Sequence, residues 1–202
     1  MLGTRYADAL ALAVRLHDGQ VRKGTGIPYV AHVLAVSALT LEHGADEDVA
    51  IAAVLHDAVE DCGGALTGEL IGARFGARVA QIVAGCTDAV VTPKPPWAQR
   101  KATYLEHLPQ ADADVLLVSA CDKLHNARAI LHDLQALGDD LWPRFQGGKR
   151  GSLWYYRSLI EAYRRTGKVP PGLFTQLEAT VAAMEAAAGF SAEPHPAPPP
   201  SP

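Results

Sequence analysis

Cysteine is scarce in this chain: Cys62, Cys86 and Cys121 are the only three. They form no CxxC pair and cannot all pair within one chain, a pattern that fits a reducing cytoplasm and not secretion. Long apolar runs are also missing, since none approaches the roughly 20 residues needed to cross a bilayer. The N-terminus has no basic-then-apolar signal layout; its apolar residues recur at helical spacing and are interrupted by Asp8 and Arg15. There is no basic excess either. A net charge of −4 with pI near 6.0 excludes a general nucleic-acid or membrane-surface binder, which usually shows a basic stripe. A small anionic substrate held by a local cluster of Lys and Arg stays open. The expected location is therefore cytoplasmic, with no nucleic-acid and no membrane partner, and the sequence says nothing of oligomeric state. Internal repeats are absent, and almost no segment requires a strand.

What is present is a helical, globular chain. At 202 residues, 49 % apolar and 20 % charged, it is long enough to bury a core without disulfides. Thr4 is placed to cap a first helix with Ala7, Leu10, Ala11 and Val14 on one face. A glycine-rich loop from Gly19 to Pro28 carries the basic pair Arg22 and Lys23, and Pro28 suits the first turn of a second helix with Val30, Val33, Leu34 and Ser37. Asp46 predicts the N-cap of a third, strongly apolar helix, IAAVLHDAVED, ended by Gly63-Gly64 and running through the middle of the bundle. Shorter helices are expected around 67–75 and 76–88, then a loop broken by Pro93, Pro95 and Pro96, and a helix near 97–108. Asp112 can cap a long helix, DADVLLVSACDKLHNARAILHDLQAL. The strand alternative for VLLVSA yields to helical spacing that continues through Leu124 and Ala127. A loop with Gly147, Gly148 and Gly151 precedes an aromatic helix, SLWYYRSLIEAYRR, and a last helix spans 172–188. The expected architecture is an all-α bundle: one domain over 1–188, with a Pro-rich, disordered tail over 189–202.

The chemistry gathers at Leu55-His56-Asp57, followed by Glu60 and Asp61. A His and an Asp side by side on a helix point about 100° apart and can straddle one ion set against it. Glu60 lies one turn beyond His56, and Asp61 one turn beyond Asp57. Four titratable groups beside an apolar run are costly unless a cation or hydrogen bonds compensate them. Alone, the HD pair reads equally as a polar helix end in water. His32, in PYVAHVLAV, reads either as a satisfied core histidine or as a ligand. Asp122 is the stronger anomaly, because it follows the apolar run VLLVSAC inside a helix that should be buried. Two imidazoles and two carboxylates make a mixed N/O set suited to Mn²⁺, Fe²⁺, Zn²⁺ or a similar ion, unlike the thiolates of structural zinc.

The order H…HD…D, with the segments QVRKGTGIPYVAH, LHDAVED, FGARVAQIVAGCTD and ACDKLHNAR, resembles the HD-domain hydrolases of the RelA/SpoT group. In design the chain is similar to the short, single-domain alarmone hydrolases related to the metazoan form. The resemblance runs from about Tyr6 to Arg164. It implies a helical HD fold holding Mn²⁺ through His32, His56, Asp57 and Asp122, and hydrolysis of the 3′-pyrophosphate of (p)ppGpp to GDP or GTP and pyrophosphate. By the same carry-over Glu60 and Asp61 are the acid/base or water-orienting pair, Arg22 and Lys23 face the substrate, and Asn126 contacts it. The synthetase domain of the long members is absent, so no alarmone synthesis is expected. Gly24 and Ala129 depart from the family pattern. They motivate a second reading, a phosphohydrolase of another nucleotide or phosphorylated metabolite; a third is a non-catalytic nucleotide sensor.

Further basic and aromatic residues carry two readings each. Arg100 and Lys101 can bind phosphate or lie on a solvated helix face. Lys149 and Arg150, followed by Trp154, Tyr155 and Tyr156, can clamp a phosphate and stack on a base, or the aromatics can be core. His17 is expected to support the site without ligating. His43, His107, His132 and His195 look incidental, and the cysteines read as small buried apolar residues.

Overall fold

Asp46 accepts a hydrogen bond from Val49 N at 3.1 Å and so starts the central helix of the first half of the chain. In the computed structural model, which describes residues 2–88 and 93–189, the helices are α1 (Thr4–Leu16), α2 (Val30–Glu42), α3 (Glu47–Leu55), α4 (Ala58–Asp61), α5 (Gly64–Phe75), α6 (Ala77–Cys86), α7 (Trp97–His107), α8 (Ala113–Leu137), α9 (Gly148–Thr166) and α10 (Pro171–Ala187). Two 3₁₀ segments, Leu108–Gln110 and Gly138–Arg144, lie between them. Among the described residues there is no strand, only an isolated bridge between Val21 and Pro28. The expected tail, apart from Gly189, lies outside the described residues, as do His195 and positions 90–92 of the proline loop. No helix of the described residues is long and apolar enough to cross a membrane.

The chain forms two compact units, one of residues up to Lys94 with Asp112–Cys121, the other of Pro95–Ala111 with Asp122 onward. In the first, α3 packs against α1, α2 and α6. All seven residues from Val49 to Leu55 are buried there, as an apolar helix with no polar face requires. Glu47 and Asp48 occupy its first turn, where the helix dipole favours negative charge, and Arg5 and Arg78 pair with the acidic residues of that helix start. In the second unit α9 packs against α7, α10 and both 3₁₀ segments. Trp154, Tyr155 and Tyr156 are all buried, so this aromatic stripe is core. Gly147, just before α9, allows a close approach: a Cβ there would stand 2.6 Å from the Trp97 ring.

Four local expectations need correction. The buried face of α1 is Ala9, Leu12 and Ala13, whereas Val14 is 54 % exposed and Ala7 and Ala11 face solvent. Apolar residues cover most of that helix's circumference, so helical periodicity fits two registers and only packing chooses. Thr4 is not the cap; Gly3 is, and its backbone N donates to Glu47 Oε1 at 2.6 Å. The segment IAAVLHDAVED is not one helix, because it breaks at His56-Asp57 between α3 and α4. The aromatic helix begins at Gly148 and not after Gly151, which puts Lys149 and Arg150 in its first turn. VLLVSA is helical, within α8.

Candidate metal centre

Packing of α2 against α3 brings His32, in the first turn of α2, to the break that carries His56 and Asp57. His32 Nε2 lies 3.4 Å and His56 Nε2 3.1 Å from one oxygen, Asp57 Oδ2. The two imidazoles are 5.2 Å apart at 67°. One donor atom from each of the three residues lies within 4.8 Å of the others. Ligands about 2.0–2.2 Å from a first-row ion stand roughly 3 Å from each other, so these separations fit one divalent ion with little movement. Both histidines are buried and Asp57 is half-buried.

The orientation of the ligands is set by their neighbours. His56 Nδ1 is 2.8 Å from Ala53 O. A carbonyl only accepts, so the proton sits on Nδ1 and the Nε2 lone pair is left facing the site, as a metal-binding imidazole requires. Tyr29 donates its hydroxyl to Asp57 Oδ2 at 2.6 Å. Its ring is stacked on buried His17, 5.0 Å between centroids, and the Arg22 guanidinium lies 5.7 Å from its centroid. Lys23 is exposed. The loop that carries this pair is pinned by Arg22 N to Ile27 O and Tyr29 N to Gln20 O, both 2.8 Å, and Gly24 supplies the positive φ of +73° at its turn.

Glu60 and Asp61 stand on α4 just beyond the ligands. Glu60 accepts from Lys94 Nζ at 2.8 Å. Asp61 accepts from Gln20 Nε2 at 3.3 Å. Its side chain reaches solvent, yet crowding by protein atoms, and then the charge of Asp57, raise its pKa above the usual carboxylate value. Burial, then Asp61 and Asp57, push the neighbouring Cys62 thiol up to about 11.

The remaining expected site residues belong to the second unit. Asp122 is buried and accepts from Lys123 Nζ and Asn126 Nδ2, each at 2.5 Å. Burial is the strongest influence on Lys123 and works against its charge, but Asp122 together with Tyr155, Tyr104 and Tyr163 outweighs it, and the lysine pKa lies well above its ordinary value. Arg100 donates to Pro95 O at 3.2 Å. Lys101 Nζ lies 5.1 Å from the centre of the Tyr155 ring. That ring packs with Trp97, Trp154 and Tyr156, and its buried hydroxyl has no hydrogen-bond partner among the described residues. Lys149 pairs with Asp139 at 2.8 Å, and Arg150 is exposed. Tyr29, Gln20 and Lys94 were missed from sequence. Tyr29 had a usable signal, a polar aromatic one turn before a candidate ligand; Gln20 and Lys94 sit in loops whose path no periodicity predicts.

The sequence pattern of the HD domain matches residues 9–151. The guanosine-3′,5′-bis(diphosphate) 3′-pyrophosphohydrolase of Danio rerio is 37 % identical over 124 residues, 60 % of this chain and 66 % of that protein. A protein of the same description from Aquifex aeolicus is 37 % identical over 125 residues, 60 % of this chain and 17 % of its own length. The chain thus spans less than two thirds of either relative. Among solved structures, a metazoan ortholog of SpoT that hydrolyzes ppGpp superposes with a TM-score of 0.71 at 26 % identity, covering 89 % of this chain and 95 % of that one. A protein from Listeria monocytogenes superposes at 0.66 and 26 % identity, covering 78 % and 99 %. With an all-helical fold, an HD pair at a helix break and a second histidine packed against it, the chain belongs to the HD-domain family.

Proposed function

We propose that this protein is a Mn²⁺-dependent hydrolase that removes the 3′-pyrophosphate of (p)ppGpp, leaving GDP from guanosine 3′,5′-bis(diphosphate) or GTP from its 5′-triphosphate form, with pyrophosphate as the other product. The observation that carries the reading is the convergence of His32 Nε2 and His56 Nε2 on Asp57 Oδ2, in a chain 37 % identical to a protein named for that reaction. Asp122 matches the last aspartate of the H…HD…D order and supplies the further carboxylate. When bound, the ion lowers the pKa of water toward neutrality and polarises the attacked phosphorus. The bond broken joins the nucleoside 3′ oxygen to the inner phosphorus, so one proton leaves the attacking water and one must reach the departing oxygen. In this reading Glu60 and Asp61 carry these transfers. The raised pKa of Asp61 suits the group that holds a proton until it is needed. Arg22 and Lys23 bind the substrate's phosphates, and Asn126, Arg100, Lys101, Lys149 and Arg150 are the substrate contacts proposed from the second unit. The protein works in the cytoplasm, a reading supported by the scarcity of cysteine and the lack of any CxxC pair.

The test is pyrophosphate release from purified protein given ppGpp and Mn²⁺, with an EDTA control. Fast, chelator-sensitive release is expected. Full metal occupancy without release would move the substrate to another nucleotide, and nucleotide binding without any turnover would favour the sensor.

A further inference from the structure

Buried His17 is linked to two of the three carboxylates at the candidate ion site, Asp61 and Asp57, without a direct hydrogen bond to either. One link is polar. His17 Nδ1 is 2.6 Å from Gln20 Oε1, and Gln20 Nε2 is 3.3 Å from Asp61 Oδ2. The direction of this chain is fixed by chemistry: a carboxylate oxygen takes the amide N–H, which turns the amide oxygen to His17, which must then carry its proton on Nδ1. Cys62 Sγ lies 3.6 Å from the same nitrogen. The other link is packing. The His17 ring is stacked on Tyr29 at 5.0 Å and 27°, and the Tyr29 hydroxyl holds Asp57 Oδ2. The backbone closes the same ring of contacts, with Gln20 N donating to His17 O at 3.1 Å and Tyr29 N to Gln20 O at 2.8 Å. His17 itself has 3 % of its surface exposed, and its Nε2 has no hydrogen-bond partner among the described residues. A buried polar atom left unsatisfied is costly, so the polar contacts of this ring are made through Nδ1 alone.

We propose that His17 and Gln20 are positioning residues that aim the Asp61 carboxylate: the chain from His17 Nδ1–H through the Gln20 amide occupies Asp61 Oδ2 and leaves Oδ1 to handle the proton in hydrolysis. The proposal rests on the hydrolase reading above. His17 reaches Asp61 through hydrogen bonds and Asp57 through a ring stack, and the two can be cut separately. His17→Phe keeps an aromatic face against Tyr29 and removes the Nδ1 donor. Gln20→Leu leaves a branched apolar side chain one atom shorter and removes the amide.

The experiment compares pyrophosphate release, metal affinity by titration calorimetry and melting temperature for His17→Phe, Gln20→Leu and the double variant. Neighbours that orient site residues typically contribute about 10- to 100-fold in activity or metal affinity. Here the loss is expected in kcat, about 10- to 100-fold, with KM and metal affinity within about twofold of wild type. The double variant should be no slower than the worse single one, because both break one chain. A second readout does not depend on turnover: the imidazole ¹⁵N spectrum should show His17 as the Nδ1–H tautomer, and Gln20→Leu should move that proton signal upfield. Additive kcat losses, a loss confined to metal affinity, or an Nε2–H tautomer for His17 would overturn the proposal. An inactive wild-type protein would refute the hydrolase reading instead, and with it the proposed use of the chain, while the tautomer spectrum would still decide whether the chain exists.

Discussion

Tyr29→Phe removes one oxygen atom and tests how the metal ligands are oriented. The hydroxyl donates to Asp57 Oδ2 at 2.6 Å, the same oxygen that faces both histidine Nε2 atoms. A hydrogen bond to a charged group contributes about 1.5–3 kcal/mol. If that energy goes into holding Asp57 in the ligating position, its loss weakens ion binding by roughly 10- to 150-fold at 1.4 kcal/mol per decade. The phenyl ring keeps the stack on His17, so the fold should be little affected. The assay is calorimetric titration of metal-free wild type and variant with Mn²⁺, alongside thermal melts of the metal-free proteins. An affinity within twofold of wild type would refute the reasoning, since it would show that Asp57 is oriented by the backbone break alone. A large fall in the melting temperature of the metal-free variant would assign the bond to stability.

Asp122→Ala should remove bound metal and activity together, whereas Glu60→Ala should keep the metal and lose turnover; full metal occupancy in Asp122→Ala, read by elemental analysis, would break the four-ligand assignment. Asp61→Asn should raise the melting temperature of the metal-free protein at neutral pH while abolishing hydrolysis. The sign follows from the raised pKa: the folded protein holds the Asp61 proton more tightly than the unfolded chain, so the stability it contributes is present at low pH and lost as pH rises through the folded value. The gap between Asp61→Asn and wild type should therefore close under acid conditions, and a gap that persists would contradict it. Cys62, with its thiol pushed up to about 11, should alkylate slowly with iodoacetamide in the native protein at neutral pH and at the rate of an ordinary thiol after denaturation. Equal rates in the two states, followed by mass spectrometry, would refute the account.

Local sequence already determined a good deal of this protein. The Asp46 cap, the apolar run of α3 and the helical character of VLLVSA follow from short-range preferences and periodicity, and the structure has them where the residues put them. The HD pair stood out because charged and ligating side chains beside an apolar run demand compensation, but its reading and that of His32 as ligands came from the resemblance to the HD-domain hydrolases. What tertiary structure alone decided was everything that depends on which surfaces meet. The buried face of α1 was undetermined, since apolar residues occupy both Ala7-Leu10-Ala11-Val14 and Ala9-Leu12-Ala13, and packing against α3 and α2 selects the second. The break after Leu55 was invisible to periodicity, yet it coincides with the His56 ring turning back to its own helix at Ala53 O. Tyr29, Gln20 and His17 are spaced irregularly through a loop, and only its folding, pinned by backbone bonds at Arg22 and Tyr29, places them around Asp57 and Asp61. Periodicity reports which residues share a face of one element, and it carries no information about groups that meet because a loop turns.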